Sequence, residues 1–210
     1  MNKKIMIVGR SGCGKDTLAY CLTKNHDLKQ LISTTTRPPR YTGEMAHVFV
    51  SEEEANMMTD RVAETVINGY QYFATRQQLD ECDIYVIDPK GLRDTCERAP
   101  DTELCVVYVK ASKPVRRKRA IDRAEDKEEA AKVFDRRHAD ENDMFENFES
   151  MIANSDLSLF HEQFPTVSTV IVLDNETTSI GSMDRKSDIA MMLVNQINMG
   201  SEMGPYYHTI

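Results

Sequence analysis

Between Gly9 and Thr17 the chain reads GRSGCGKDT, with glycines at 9, 12 and 14 ahead of a lysine. Glycine-rich backbone lets successive N–H groups turn inward around a phosphate, and a helix opening at the lysine adds positive potential. Lys15 is then a point charge for the outer phosphates of a nucleotide. The pattern G-x-x-x-x-G-K normally continues with Ser or Thr, whose hydroxyl meets Mg²⁺; here Asp16 follows. A carboxylate also suits Mg²⁺, which favours oxygen ligands and keeps several waters. Thr17 still offers a hydroxyl from the first helical turn. The expected cradle is therefore Gly9, Ser11, Gly12, Cys13, Gly14, Lys15, Asp16 and Thr17, with Asp16 altering the metal shell rather than abolishing nucleotide binding.

Two further cationic groups have the spacing to handle anions. In STTTRPPRYTGE (33–44), Arg37 and Arg40 flank a stiff Pro-Pro. The rigid spacer holds both guanidinium groups in a defined relation, suited to bidentate contact with a second phosphate. The bland alternative is a solvated loop rich in Thr and Pro. In KPVRRKRAIDRAEDKEEAAKVFDRR (113–137), Arg119 and Arg123 are four apart and share a helix face. These two, with one of Arg136 or Arg137, are expected on nucleotide phosphates; Arg116 and Arg117 are expected on a solvated face. The five histidines, at 26, 47, 138, 161 and 208, are scattered and suggest no catalytic pair. The five cysteines form no C-x-x-C pair, which argues against a zinc site or a disulfide framework and for a reducing compartment.

The elements that must position these residues show in the apolar pattern. KIMIV (4–8) is a continuous apolar run, as a strand buried on both faces requires. Further buried strands are expected at 83–88, 103–109 and 168–174. Helical patterns separate them at 15–24, 89–98, 112–124, 128–163 with breaks, and 183–197. That alternation predicts an α/β fold, a parallel sheet with helices on both faces. Segment 33–75 departs from it: a polar, proline-containing loop precedes HVFV, a small helix at 51–58, RVAETVI and YQYFAT. It reads as a β-rich insertion on a core of 1–32 and 76–198. Residues 199–210 have glycines, a proline and no periodicity, and read as a tail.

Composition limits the partners. The 210 residues suit one α/β unit with an insertion, and 40% hydrophobic with 29% charged residues is ordinary for a globular chain. A net charge of -8 argues against a general affinity for nucleic acid polymers or anionic membranes. The opening apolar run breaks at Gly9, too soon for a signal peptide or a membrane span. Small-molecule nucleotides as partners and a cytoplasmic location are the expectation.

These motifs together resemble guanylate kinase. That family pairs a P-loop with T-T-R-x-P-R-x-G-E, here Thr35 to Glu44 with one extra residue before Gly43 and with Ser33 just ahead of it. It continues with F-V-S (Phe49 to Ser51), a Glu (Glu64), G-x-Y-Y-G-[ST] (GYQYFAT), and D-x-x-G (Asp88 to Gly91). An arginine-rich lid follows, about 119–140 here, and the likeness spans roughly residues 4 to 197. The resemblance implies a P-loop kinase core with a small insertion for the nucleoside monophosphate and a helical lid. It implies transfer of the ATP γ-phosphoryl to GMP or dGMP with Mg²⁺. It also implies catalytic roles for Lys15, Arg37, Arg119, Arg123 and Arg137. The acceptor would be held by Ser33, Arg37, Arg40, Glu64, Tyr72, Thr75 and Asp88, and the metal by Asp16 and Asp88.

Three of the departures from the family pattern bear on its chemistry. Phe73 replaces a phosphate-binding Tyr, His47 takes the nearest place to a second one, and Val86 replaces the first acid of D-x-D. Tyr72 is adjacent to Phe73, but alternation in an extended segment turns it to the opposite side. These departures leave open a relative that phosphorylates another acceptor, such as another deoxynucleotide or a ribose bisphosphate. A non-catalytic phosphopeptide-binding module of the same fold is a third reading, against which the retained Lys15 and its flanking glycines stand.

Overall fold

The computed structural model describes residues 3–67, 69–153, 157–176, 180–198 and 206–209. The apolar run at the start forms β1 (Lys4–Val8), buried along its whole length. The loop 9–14 leads into α1 (Lys15–His26). The later apolar runs form β6 (Ile84–Ile87), β7 (Leu104–Lys110) and β8 (Val167–Asp174). They join β1 in a parallel sheet of order β6-β1-β7-β8-β9, where β9 is Tyr206–Thr209. The stretch read as a tail thus contributes an edge strand, paired parallel to β8 from Thr169 to Val172. Its short length and flanking glycines hid that pairing, because a strand's partner does not show in local periodicity; 199–205 and 210 lie outside the described residues.

Side-chain alternation divides the core between the two faces of the sheet. Met6, Val8, Ile87, Val106, Tyr108 and Val170 pack with Phe145, Phe148, Phe160 and Phe164. Ile5, Ile7, Ile84, Val107, Ile171 and Leu173 pack with Leu18, Leu22, Met183 and Val194. The first set belongs with α4 (Pro89–Arg98), α6 (Lys127–Ala153) and α7 (Leu157–Gln163); the second with α1 and α8 (Ile180–Asn198). The helical pattern expected over 128–163 is therefore two helices, with 154–156 between them outside the described residues. The chain leaves β1 toward β6 on one side and later continues from β7 on the other. That reversal opens a crevice at the C-terminal end of β1, where such sheets bind ligands.

The insertion builds its own sheet of order β3-β2-β5-β4. Its strands are β2 (Thr34–Thr35), β3 (Val48–Phe49), β4 (Arg61–Ile67) and β5 (Tyr70–Thr75), with α2 (Glu52–Met57) before β4. Thr34–Thr35 was expected as loop. Its β-branched residues go extended because β3 and β5 flank them, and the Thr35 hydroxyl donates to the Gln71 carbonyl at 2.8 Å. A six-residue helix, α3 (Arg76–Glu81), follows β5 and was not anticipated either. Thr75 and Gln78 close a reciprocal capping box at its start.

Candidate functional site

Loop 9–14 ends in a conformation that only glycine adopts without strain. Gly12 and Gly14 have φ of 80° and 107°. A Cβ at Gly12 would stand 2.9 Å from the Arg116 carbonyl oxygen, so the close approach of α5 (Lys113–Asp122) needs a glycine at this position. Gly14 caps α1 without a side chain, whereas Ser51, Thr75 and Asp88 cap α2, α3 and α4 with oxygens. The first-turn N–H groups of α1, which lack intrahelical partners, are left available to an anion. The half-buried Lys15 makes one weak contact, its Nζ donating to the Arg10 carbonyl at 3.3 Å.

Two arginines of α5 hold this loop from outside, and a third belongs to the loop itself. Arg119 donates to the carbonyls of Cys13 at 3.2 Å and Asn175 at 2.7 Å, and the Asn175 amide donates to Cys13 at 2.7 Å. Arg116 is buried over the Phe134 ring and donates to the Ser11 carbonyl at 3.2 Å. It was expected on a solvated face. Its place three residues before Arg119 puts both on one side of α5, and that spacing was the available signal. Arg117 is the solvated one, paired with Asp135. Arg10 is gripped by Glu149 at 2.8 and 2.9 Å, and the Tyr108 hydroxyl donates to the same carboxylate. Arg10 raises no motif signal and holds the long α6 against the loop.

A cavity of about 560 Å³ opens above the loop. Ser11, Gly12, Gly14, Lys15, Asp16 and Thr17 line it, with Arg119 and Arg123 from the α5 segment and Arg137 from α6. Arg137 faces this cavity and Arg136 does not, which separates the two candidates. Cys13 lies fully buried beneath the loop, where burial pushes its thiol pKa up; it contributes only backbone. Gly9 lines a second cavity instead.

That second cavity, about 600 Å³, lies between the insertion, the C-terminal end of β6 and α6. Ser33, Glu64, Tyr72, Phe73 and Asp88 line it together with Lys90, Asp140 and Glu141. Glu64 is not a lone carboxylate: Arg98 donates to one oxygen at 2.8 Å and Arg61 to the other at 3.2 Å. Arg98 foremost, then Arg61 against the cost of burial, holds its pKa below the usual carboxylate range. Arg61 lies over the Phe73 ring at 4.0 Å, so the aromatic that replaces a tyrosine is fully buried under a cation. Tyr72 turns to the other side of β5 as alternation requires, its ring edge-on to His47 at 5.4 Å, yet it still reaches the cavity. His47 Nδ1 lies 3.0 Å from the Ser33 hydroxyl, and burial followed by Arg37 lowers the pKa of the ring. Asp88 lines the cavity while its Oδ1 accepts from the Gly91 N–H at 2.7 Å.

Three expected residues are not brought to this cavity. The Thr75 hydroxyl accepts from the Gln78 N–H as a helix cap. Arg37 is buried against Glu44, at 2.8 and 3.3 Å, and lies over Phe49. Glu44 also accepts from the Arg40 N–H at 2.7 Å, and Arg37 drives the Glu44 pKa down to about 2. The Arg40 side chain is exposed. The Arg37 Nε is nonetheless buried with no hydrogen-bond partner among the described residues, an orphan donor that polar interiors rarely tolerate.

No three His, Cys, Asp or Glu side chains gather as a metal cage among the described residues. No helix among them is long and apolar enough to cross a membrane.

A family model described as guanylate kinase matches residues 1–169. Among solved structures, guanylate kinase from Anaplasma phagocytophilum superposes with a TM-score of 0.52 at 19% identity, covering 93% of this chain and 87% of that one. At that identity the likeness concerns the fold, an α/β P-loop core. A gluconokinase from Sinorhizobium meliloti 1021 also matches, at 15% identity, a TM-score of 0.40 and coverage of 93% and 98%. That score supports no argument. No curated protein sequence matches.

Proposed function

The chain belongs to the guanylate kinase family, a family of nucleotide kinases, and from that premise we propose that it moves the γ-phosphoryl group of ATP onto GMP or dGMP. The observation that carries this reading is Lys15, which lines both cavities. A cation shared by two pockets suits a phosphoryl group passing between them. The attacking oxygen belongs to a phosphate that is already anionic near neutral pH, so no general base is needed. The chemistry reduces to aligning two anions and screening their repulsion.

In this reading the loop N–H groups and Lys15 hold the donor phosphates, while Arg119, which lines the same cavity, also fixes the loop through the Cys13 carbonyl. Arg123 and Arg137 face the same cavity and screen the transferring group. Glu64 accepts from the N1 and N2 donors of guanine, with Ser33 and Asp88 beside it and Thr75 the weakest member of the set. Arg37 and Arg40 take the acceptor phosphate once the insertion closes on the core, a motion common in kinases. The orphan Arg37 Nε is a donor that such a phosphate would satisfy.

Mg²⁺ held largely by phosphates and water needs only one or two carboxylates. Asp16, exposed in the donor cavity, meets that need with Thr17 beside it; Asp88 is the poorer fit because Gly91 already occupies one of its oxygens. The ion would supply charge neutralisation on the phosphates. Asp16→Ser is expected to keep phosphoryl transfer and to shift the Mg²⁺ concentration for half-maximal rate by on the order of tenfold. An Mg²⁺ titration of the initial rate checks this, and complete loss of activity in a folded variant would make Asp16 an essential ligand instead.

A second reading, another phosphorylated acceptor, is favoured by Phe73, whose buried ring offers no hydroxyl to a phosphate. A coupled assay of ADP release across GMP, dGMP, AMP, CMP, UMP, dTMP and a ribose bisphosphate separates the two. Guanine nucleotides are expected to be the best acceptors. Equal rates with any of the others would transfer the assignment to the second reading.

A further inference from the structure

We infer that Glu141 holds the phosphate seat of the P-loop at Ser11 in the nucleotide-free protein and must release it when the donor binds. The inference rests on the donor reading above. The Ser11 N–H donates to Glu141 Oε2 at 3.1 Å, and the Ser11 hydroxyl donates to Oε1 of the same carboxylate. A backbone N–H has a single proton to donate. A carboxylate on it and a phosphate oxygen on it are therefore alternatives.

The contact joins residues 130 apart in sequence, so it exists only because α6 lies along the loop. Phe134 and Arg137 of α6 face the donor cavity, and Glu141 stands one turn beyond Arg137 on the same face. Two turns farther, Glu149 grips Arg10 through two contacts, and Asn142 accepts from Arg10 at 3.3 Å. These anchors hold α6 in place whether or not Glu141 touches Ser11. The Glu141 side chain can then leave Ser11 by rotation alone.

Glu141 also lines the second cavity, next to Asp140. Its carboxylate thus sits at the boundary between donor and acceptor, lining the acceptor cavity while it holds a residue of the donor loop. A nucleotide phosphate entering the loop meets an anion already bound there. Glu141 consequently lowers affinity for the donor, acting as a positioning residue rather than a catalytic one.

The test is calorimetric titration of ATP, without acceptor, into the wild type, Glu141→Gln and Glu141→Ala. Gln keeps the size and removes the charge; Ala removes the contact. Both variants are expected to bind ATP about tenfold more tightly, the scale of one hydrogen bond to a charged group. A residue with a purely structural role would leave the affinity unchanged or weaken it, and either result in a folded variant overturns the inference. Hydrogen exchange at the Ser11 amide is a second readout that needs no variant. It is expected to be slow in the nucleotide-free wild type, and fast exchange there overturns the inference as well. If the wild type binds no ATP at all, the donor reading fails, and this inference falls with it; ATP binding with unchanged variants removes this inference alone.

Discussion

Lys15→Ala is expected to reduce phosphoryl transfer by about a thousandfold while leaving the fold intact, because Lys15 supplies charge to the reaction and almost nothing to the core. Its one contact in the free protein is long, 3.3 Å to a carbonyl in its own loop. Losing that contact from a half-buried side chain costs about 0.5 kcal/mol of stability or less. Losing a preorganised cation where charge builds up in the transition state is a different matter. One such donor accounts for roughly a hundred- to a thousandfold in rate, and Lys15 carries a full charge at the junction of both cavities. Thermal melting and ADP release, measured together at saturating ATP and acceptor, check both halves. Activity within a few-fold of wild type would rule out the P-loop mechanism.

Glu64→Gln is expected to collapse the preference for GMP over AMP, which should be about a thousandfold in the wild type. The Glu64 carboxylate offers only acceptors, matching the N1 and N2 donors of guanine. Adenine presents an acceptor at N1 and no amino group at C2, so two charge-assisted hydrogen bonds are lost and a lone pair faces an anion. Each such bond contributes roughly 1.5 to 3 kcal/mol, and sites that demand a hydrogen bond discriminate by large factors. Gln places an N–H against N1–H and removes the charge. The same substitution weakens the pairs with Arg61 and Arg98, so the rate with each nucleotide falls for structural reasons too. The ratio of kcat/KM values cancels that common loss and is the quantity to measure.

The two arginines also set how the preference depends on pH. They favour the ionised form of Glu64 and hold its pKa low. The charged form therefore persists above the folded pKa and is lost only as pH falls through it. The preference should stay flat from about pH 8 to about pH 5 and weaken only below the ordinary carboxylate range. A preference that halves near neutral pH, or wild-type protein that phosphorylates AMP as well as GMP, would remove Glu64 as the reader of the base.

The sequence by itself determined whatever depends on neighbours along the chain. Loop 9–17 is legible because its glycines, its lysine and the strand before it are contiguous. The β1, β6, β7 and β8 strands were legible because a strand buried on both faces must be apolar throughout. That Arg119 and Arg123 share one face was legible from helical spacing, and both line the same cavity. Only the tertiary structure decided which partner each charge meets, because sheet register and helix packing bring together residues far apart in sequence. Glu64 meets Arg98 across 34 residues, Arg119 meets Asn175 across 56, and Ser11 meets Glu141 across 130. The pairing of Arg37 with Glu44 is local in sequence, yet it too was hidden, since the motif they share points Arg37 at a substrate. Whether a buried guanidinium faces a carboxylate of its own chain or waits for a phosphate is settled by the packing around it, through Phe49 beneath Arg37 and the Arg40 N–H beside Glu44. Residue type fixes the charge a side chain can offer; the fold fixes which anion it reaches first.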